Sequence, residues 1–117
     1  MTQPPLPDEL PIFTAWSRFL SWLLDTTLKF PKRVRFTLSN RMDNLALDIL
    51  EGLIEARYSK NKVPLLTRIN LQLEKLRVLL RIAYQKQYLA TNSFEYALRE
   101  LQEIGQMVGG WLRQKTR

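Results

Sequence analysis

The sequence predicts an all-α protein, an antiparallel up-down-up-down four-helix bundle, and three observations carry that expectation. Four segments place apolar side chains at three- and four-residue intervals, the period of one helix face. Proline or a short polar stretch separates them, with no β-rich segment, internal repeat or low-complexity tract between. Links of about 2 to 6 residues between helices favour neighbours that run in opposite directions. A chain of 117 residues has room for one such domain, drawn over residues 12–113, with a Pro-rich lead-in over 1–11 and a basic tail over 114–117.

Pro4, Pro5, Pro7 and Pro11 make the lead-in extended, with Pro11 suited to the first turn of a helix. Ile12, Trp16, Phe19, Leu20, Leu23, Leu24 and Phe30 then mark a first helix to about Lys29, closed or kinked by Pro31. Trp16 and Trp22 stand about 120° apart on it, so one can be core while the other lies at a rim or interface. A second helix starts near Lys32 or Val34 and reaches Tyr58, with Phe36, Met42, Leu45, Ala46, Ile49, Leu50 and Leu53 as its inner face and a partly acidic outer side. Residues 59–64 connect it to a third helix that has Pro64 near its first turn and runs to about Leu89. Asn92 followed by Glu95 is a candidate capping box for a fourth helix ending near Arg113. Gly105, Gly109 and Gly110 each cost that helix about 1 kcal/mol relative to Ala. The Gly109-Gly110 pair either ends the helix or admits another backbone at close range.

The third helix carries more than one message. Leu66, Ile69, Leu73, Leu76, Leu80 and Ala83 form a core stripe, while Leu71, Val78, Ile82 and Leu89 form a second apolar stripe well away from it. A single bundle core does not bury both, so the second stripe is an expected association surface, between two-fold partners or around a ring. Asn70, Glu74, Arg77, Arg81, Tyr84 and Tyr88 make a polar line between the stripes, and Arg68, Gln72, Lys75 and Lys86 line the other polar edge.

There is no Cys and no His, which excludes disulfides, thiolate or imidazole metal ligands and a histidine switch. No set of Asp, Glu, Lys and Tyr announces catalysis, so neither an enzyme nor a cofactor is expected. No apolar run approaches the roughly 20 residues that span a bilayer, and the first ten residues lack the pattern of a signal peptide, so a cytoplasmic location without membrane is expected. Eighteen Lys and Arg against eleven Asp and Glu leave a net charge of +7. Such a surface either serves solubility or meets a polyanion, nucleic acid first among them. Lys29, Lys32, Arg33, Arg35 and Arg41 cluster around the start of the second helix with no acid between them. From Arg57 to Lys86 eight basic residues face the single acid Glu74. Within that stretch Arg68, Lys75, Arg77, Arg81 and Lys86 are candidate phosphate contacts, and Lys86 is placed to join the first cluster. Arg77 and Arg81 have an alternative, pairing with Asp43, Asp48, Glu51 or Glu55 of the second helix.

Four stretches carry a resemblance to a known family. They are Lys29-Phe30-Pro31-Lys32-Arg33-Val34-Arg35-Phe36, Arg41-Met42-Asp43-Asn44-Leu45-Ala46-Leu47-Asp48, the run from Asn70 through Glu74 and Arg77 to Arg81, and Glu103-Ile104-Gly105-Gln106-Met107-Val108-Gly109-Gly110-Trp111-Leu112. From Trp16 to Arg113 the chain resembles the accessory variability determinants of bacterial diversity-generating retroelements, within a wider four-helix family that includes the ribosomal-RNA intervening-sequence proteins. The resemblance implies a homopentamer with a central pore, a basic surface for RNA and possibly DNA, and a complex with the retroelement reverse transcriptase. That polymerase, not this chain, would copy template-repeat RNA into mutagenised cDNA. A stand-alone RNA-binding bundle of the ribosomal-RNA-associated branch, with no polymerase partner, is the alternative.

Overall fold

Ile12, Ala15, Trp16, Phe19, Leu20 and Leu23 share one helix face, and in the computed structural model, which describes residues 10–116, all six are buried. They belong to α1 (Leu10–Thr27), which is followed by α2 (Asn40–Tyr58), α3 (Val63–Gln85) and α4 (Thr91–Thr116). Successive helices pack together and α4 returns against α1, so the four enclose one core; no strand occurs among the described residues. Of the lead-in, residues 1–9 lie outside the described residues, while Leu10 and Pro11 form the first turn of α1.

Trp16 fills the α1–α2 contact and donates its indole N–H to the Ala46 carbonyl at 3.1 Å, so a wholly buried ring leaves no polar atom unsatisfied. Trp22, only partly buried, stands at the rim, with its ring 5.5 Å from Phe19 and 5.0 Å from Tyr96 of α4. α1 ends at Thr27, two residues before the expected Lys29. The Thr26 hydroxyl donates back to the Trp22 carbonyl at 2.7 Å, and Pro31 holds an extended backbone.

The approach to α2 is irregular. Lys32–Val34 is a 3-10 turn and Arg35–Ser39 a π-helical turn before the α-helix begins at Asn40. Met42, Ala46, Ile49 and Leu53 are buried as expected, but Phe36 is 82% exposed. At about 100° per residue an α-helix puts Phe36 roughly 120° from Met42, and the i→i+5 turn further disturbs the register. Lys62 closes the far end of α2. Its ammonium donates to the carbonyls of Ala56, Arg57 and Ser59 at 2.6, 3.0 and 2.9 Å, where the helix dipole is negative.

All six residues of the α3 core stripe are at most 1% exposed, and each of its leucines and its isoleucine contributes about 1.5–3 kcal/mol by burial. The helix stops at Gln85 instead of near Leu89. Gln87 adopts φ 65°, and the amides of Gln87 and Tyr88 bond to the carbonyls of Tyr84 and Ala83, the paired bonds of a Schellman end. That reversal takes Leu89 off the second stripe and into the core at 4% exposure.

α4 starts at Thr91, so Asn92 sits inside its first turn and does not form the expected capping box; its side-chain oxygen accepts the neighbouring Ser93 amide at 3.0 Å. The helix continues through Gly109-Gly110 and past Arg113 to Thr116. The pair therefore does not end the helix, and among the described residues of this chain the nearest atoms to an added Cβ belong to Arg113 of the same helix. Gly105 is different, as a Cβ there would lie 2.9 Å from the Arg77 guanidinium.

Gln87 is the one described residue other than glycine with positive φ. Gln87→Gly is expected to stabilise the protein by about 0.5–1 kcal/mol, the left-handed strain relieved less the added chain entropy, read as a melting temperature a few degrees higher. A lower melting temperature would mean that the glutamine side chain itself supports the turn.

Candidate nucleic-acid interface

The segment between α1 and α2 presents Lys29, Lys32, Arg33 and Arg35 to solvent, and the first turn of α2 adds Arg41. Phe30, buried beneath them, packs 5.9 Å from the ring of Tyr88 in the α3–α4 connection. Arg33 leans over the same ring at 5.8 Å and reaches the Tyr88 hydroxyl at 3.3 Å. Two connections far apart in sequence are thereby joined into one end of the bundle.

A groove leads away from this end between α2 and α3. It comprises two hollows of about 410 and 470 Å³ that share Arg41 and Leu79. Val34, Leu38 and Ile82 line the first and Leu45 and Val78 the second, while Arg41, Lys75 and Lys86 supply cations from both helices. Glu74 is the one carboxylate lining the two hollows. Lys86 therefore meets the first basic cluster through Arg41. Arg81 is exposed beside this face and forms no ion pair with the described residues of α2.

Other cations are committed elsewhere. Arg77 bonds Glu74 at 2.9 Å on its own helix and the Leu101 carbonyl of α4 at 3.2 Å, through the space that Gly105 leaves open. The expected carboxylates of the second helix do not take it. Arg68 lines a separate cleft with Gln72 and with Asp48, Glu51 and Glu55, and the negative charges of these three carboxylates oppose phosphate approach. Lys62 is spent on the end of α2, and Arg18 on Glu100 at 3.0 Å, the hydrogen bond that raises the arginine pKa above its ordinary value. The sequence showed these charges but not the carbonyls that absorb them.

Beside the cluster lies a smaller cleft of about 220 Å³, walled by Leu28, Phe30, Pro31 and Phe36 and lined by Arg35, Ser39, Asn40 and Asp43. No sequence signal marks it, because its walls come from the connection between α1 and α2, to which no helical period applies. The Thr27 hydroxyl donates to Asp43 at 2.7 Å. Burial pushes the Asp43 carboxyl above its ordinary value, and the Thr27 bond partly opposes that rise.

Along α3, Leu71, Val78 and Ile82 remain 56%, 42% and 40% exposed. No helix among the described residues is long and apolar enough to cross a membrane, and no group of three or more Asp and Glu among them is placed to hold a metal ion.

An all-helical bundle with cations gathered at one end and along an apolar groove defines the class: a basic four-helix protein. The chain belongs to the bAvd-like family, whose model matches residues 12–115, in agreement with the accessory variability determinants that the sequence resembles. Among curated proteins none matches it.

The raised pKa of Asp43 has a definite sign in stability. The folded protein holds this proton more tightly than the unfolded chain, so the contribution is complete below the ordinary value of 3.8 and is lost as pH rises through the folded value. Asp43→Asn keeps an acceptor for Thr27 and removes the buried charge. Denaturant melts should find the variant more stable than the parent at neutral pH, with the advantage gone in acid; a loss at neutral pH would show that the carboxylate charge is needed.

Proposed function

We propose that this protein is a non-catalytic, nucleic-acid-binding accessory subunit of a retroelement reverse transcriptase, acting in the cytoplasm to support mutagenic cDNA synthesis from template-repeat RNA. The observation that carries the binding role is the groove where Arg41, Lys75 and Lys86 converge from two helices with Glu74 as its one carboxylate. Lys29, Lys32, Arg33 and Arg35 extend the field at the same end, and Arg81 extends it along α3. Arg77 and Arg68 contribute less, the first being bonded to Glu74 and Leu101 and the second lying among carboxylates. Distributed guanidinium and ammonium groups hold phosphates in register without reading bases. Membership of the bAvd-like family supports the accessory role and the polymerase partner.

The bundle is antiparallel in this reading. Contacts such as Arg18 with Glu100 and Trp22 with Tyr96, or Arg77 with Leu101 and Tyr84 with Phe94, rise in number on one helix as they fall on the next. Copies assemble through Leu71, Val78 and Ile82 into a closed ring of five, which would set the groove cations beside each subunit seam. The exposed stripe supports self-association, and the family resemblance supports the number five.

Affinity for RNA and DNA should fall steeply with monovalent salt, with a log–log slope near −0.7 to −0.9 per phosphate neutralised. Replacing Arg35, Arg41, Lys75, Arg81 and Lys86 together by Gln should flatten that slope and weaken both ligands at least tenfold by fluorescence anisotropy. A slope already flat in the parent would reject electrostatic binding. Co-purification with the cognate reverse transcriptase tests the partner, and retained RNA binding without association would favour the stand-alone bundle. Light scattering should give about five chains per particle, and Val78→Glu with Ile82→Glu should lower that mass while helix content by circular dichroism stays near that of the parent. An unchanged mass would place the interface elsewhere.

A further inference from the structure

The cleft beside the basic cluster has features that phosphate contact does not explain. Ser39 is only 6% exposed and lines the cleft, yet its hydroxyl has no hydrogen-bond partner. A helical serine commonly turns back to the carbonyl four residues before it. Here the Arg35 carbonyl accepts the Asn40 amide across the π-helical turn instead. Asp43 accepts the Thr27 hydroxyl on one carboxylate oxygen, and no bond from a described residue occupies the other. The Asn40 side-chain oxygen is taken by Asn44 at 3.2 Å, which leaves the Asn40 amide hydrogens as donors. An acceptor, a set of donors and an unused hydroxyl thus converge between apolar walls.

The geometry points to a pocket for one base of a bound strand, with guanine as the base that fits. This rests on the nucleic-acid reading above and adds a base-reading element to it. At about 220 Å³ the cleft is smaller than a typical drug-sized pocket and suits a single flat heterocycle. Phe36, 82% exposed at its mouth, offers a face for stacking, while exposed Lys29, Lys32 and Arg33 close by in the chain can hold the flanking phosphates. Guanine presents two adjacent donors, N1–H and N2–H₂, to a carboxylate, and its O6 accepts from Asn40 or Arg35. Adenine and cytosine set a ring acceptor beside their amino group, where it meets the carboxylate lone pairs. Uracil flanks its single ring N–H with two carbonyls and is the poorest fit. Such edge recognition belongs to unpaired bases that a protein can take out of the stack.

The test uses a short uridine-only RNA and copies of it bearing one central guanosine, adenosine or cytidine, titrated onto the full chain by fluorescence anisotropy. The guanosine copy should bind about tenfold more tightly than the uridine-only RNA, the discrimination expected of one good bidentate pair. Asp43→Asn and Ser39→Ala should each bring that ratio to within about twofold. Because the ratio is taken on one variant, changes in overall affinity cancel. Phe36→Ala alters only an exposed side chain, so it tests the stacking wall without disturbing the core, and it should lower the same ratio. Equal binding of all four RNAs by the parent overturns the pocket while leaving the nucleic-acid reading standing, whereas no binding of any RNA overturns both. A preference for another base, or a guanosine preference that survives all three variants, overturns the assignment of these residues.

Discussion

An amphipathic helix buries only the arc that its neighbours can cover, and α3 carries apolar residues over more than one arc. The stripe from Leu66 to Ala83 is buried between α2 and α4, and the rest of the bundle is arranged to bury it. Leu71, Val78 and Ile82 are left outside by the same geometry. The groove between α2 and α3 follows from this, since its floor is the edge of the core and its walls are what the core leaves uncovered.

Part of the positive charge holds the bundle together, and that narrows where a polyanion could sit. Lys62 neutralises the negative end of α2, Arg77 pins α3 to the α4 backbone across Gly105, and Arg18 bridges α1 and α4 through Glu100. Each bonds to a partner inside the bundle, so its charge is compensated locally. Arg41, Lys75 and Lys86 have no comparable internal commitment among the described residues, and with the Lys29 to Arg35 cluster they form the field that faces solvent. The contact of Phe30 and Arg33 with Tyr88 brings the two basic stretches to one end of the molecule. Without that clasp the clusters would be separate patches.

Four helices, their core faces and the excess of cations were legible because each rests on local periodicity or on counting. The six α3 core positions were read correctly from spacing alone, and so was the exposed stripe through Val78 and Ile82. A helical projection misplaces Leu89 because it assumes that the helix continues, and the left-handed Gln87 ends it first. The same projection misplaces Phe36 because the chain before α2 is not α-helical, so a constant angle per residue does not apply. The capping box fails for a related reason, as α4 starts two residues earlier than the motif requires.

By itself the sequence determined an all-helical chain, the identity of most core residues and a surface rich in lysine and arginine, all properties that follow from a residue's type and its near neighbours. Only the tertiary structure decided which cations are free. A guanidinium reaches several ångströms, and whether it meets a carbonyl, a carboxylate or water depends on a helix distant in the chain. Arg77 and Arg81, four residues apart on one helix, differ for this reason alone: one finds the Leu101 carbonyl beside a glycine, and the other points to solvent. The unpartnered Ser39 hydroxyl beside Asp43 likewise arises only when the π-helical turn folds against the end of α1, so no local pattern could announce it.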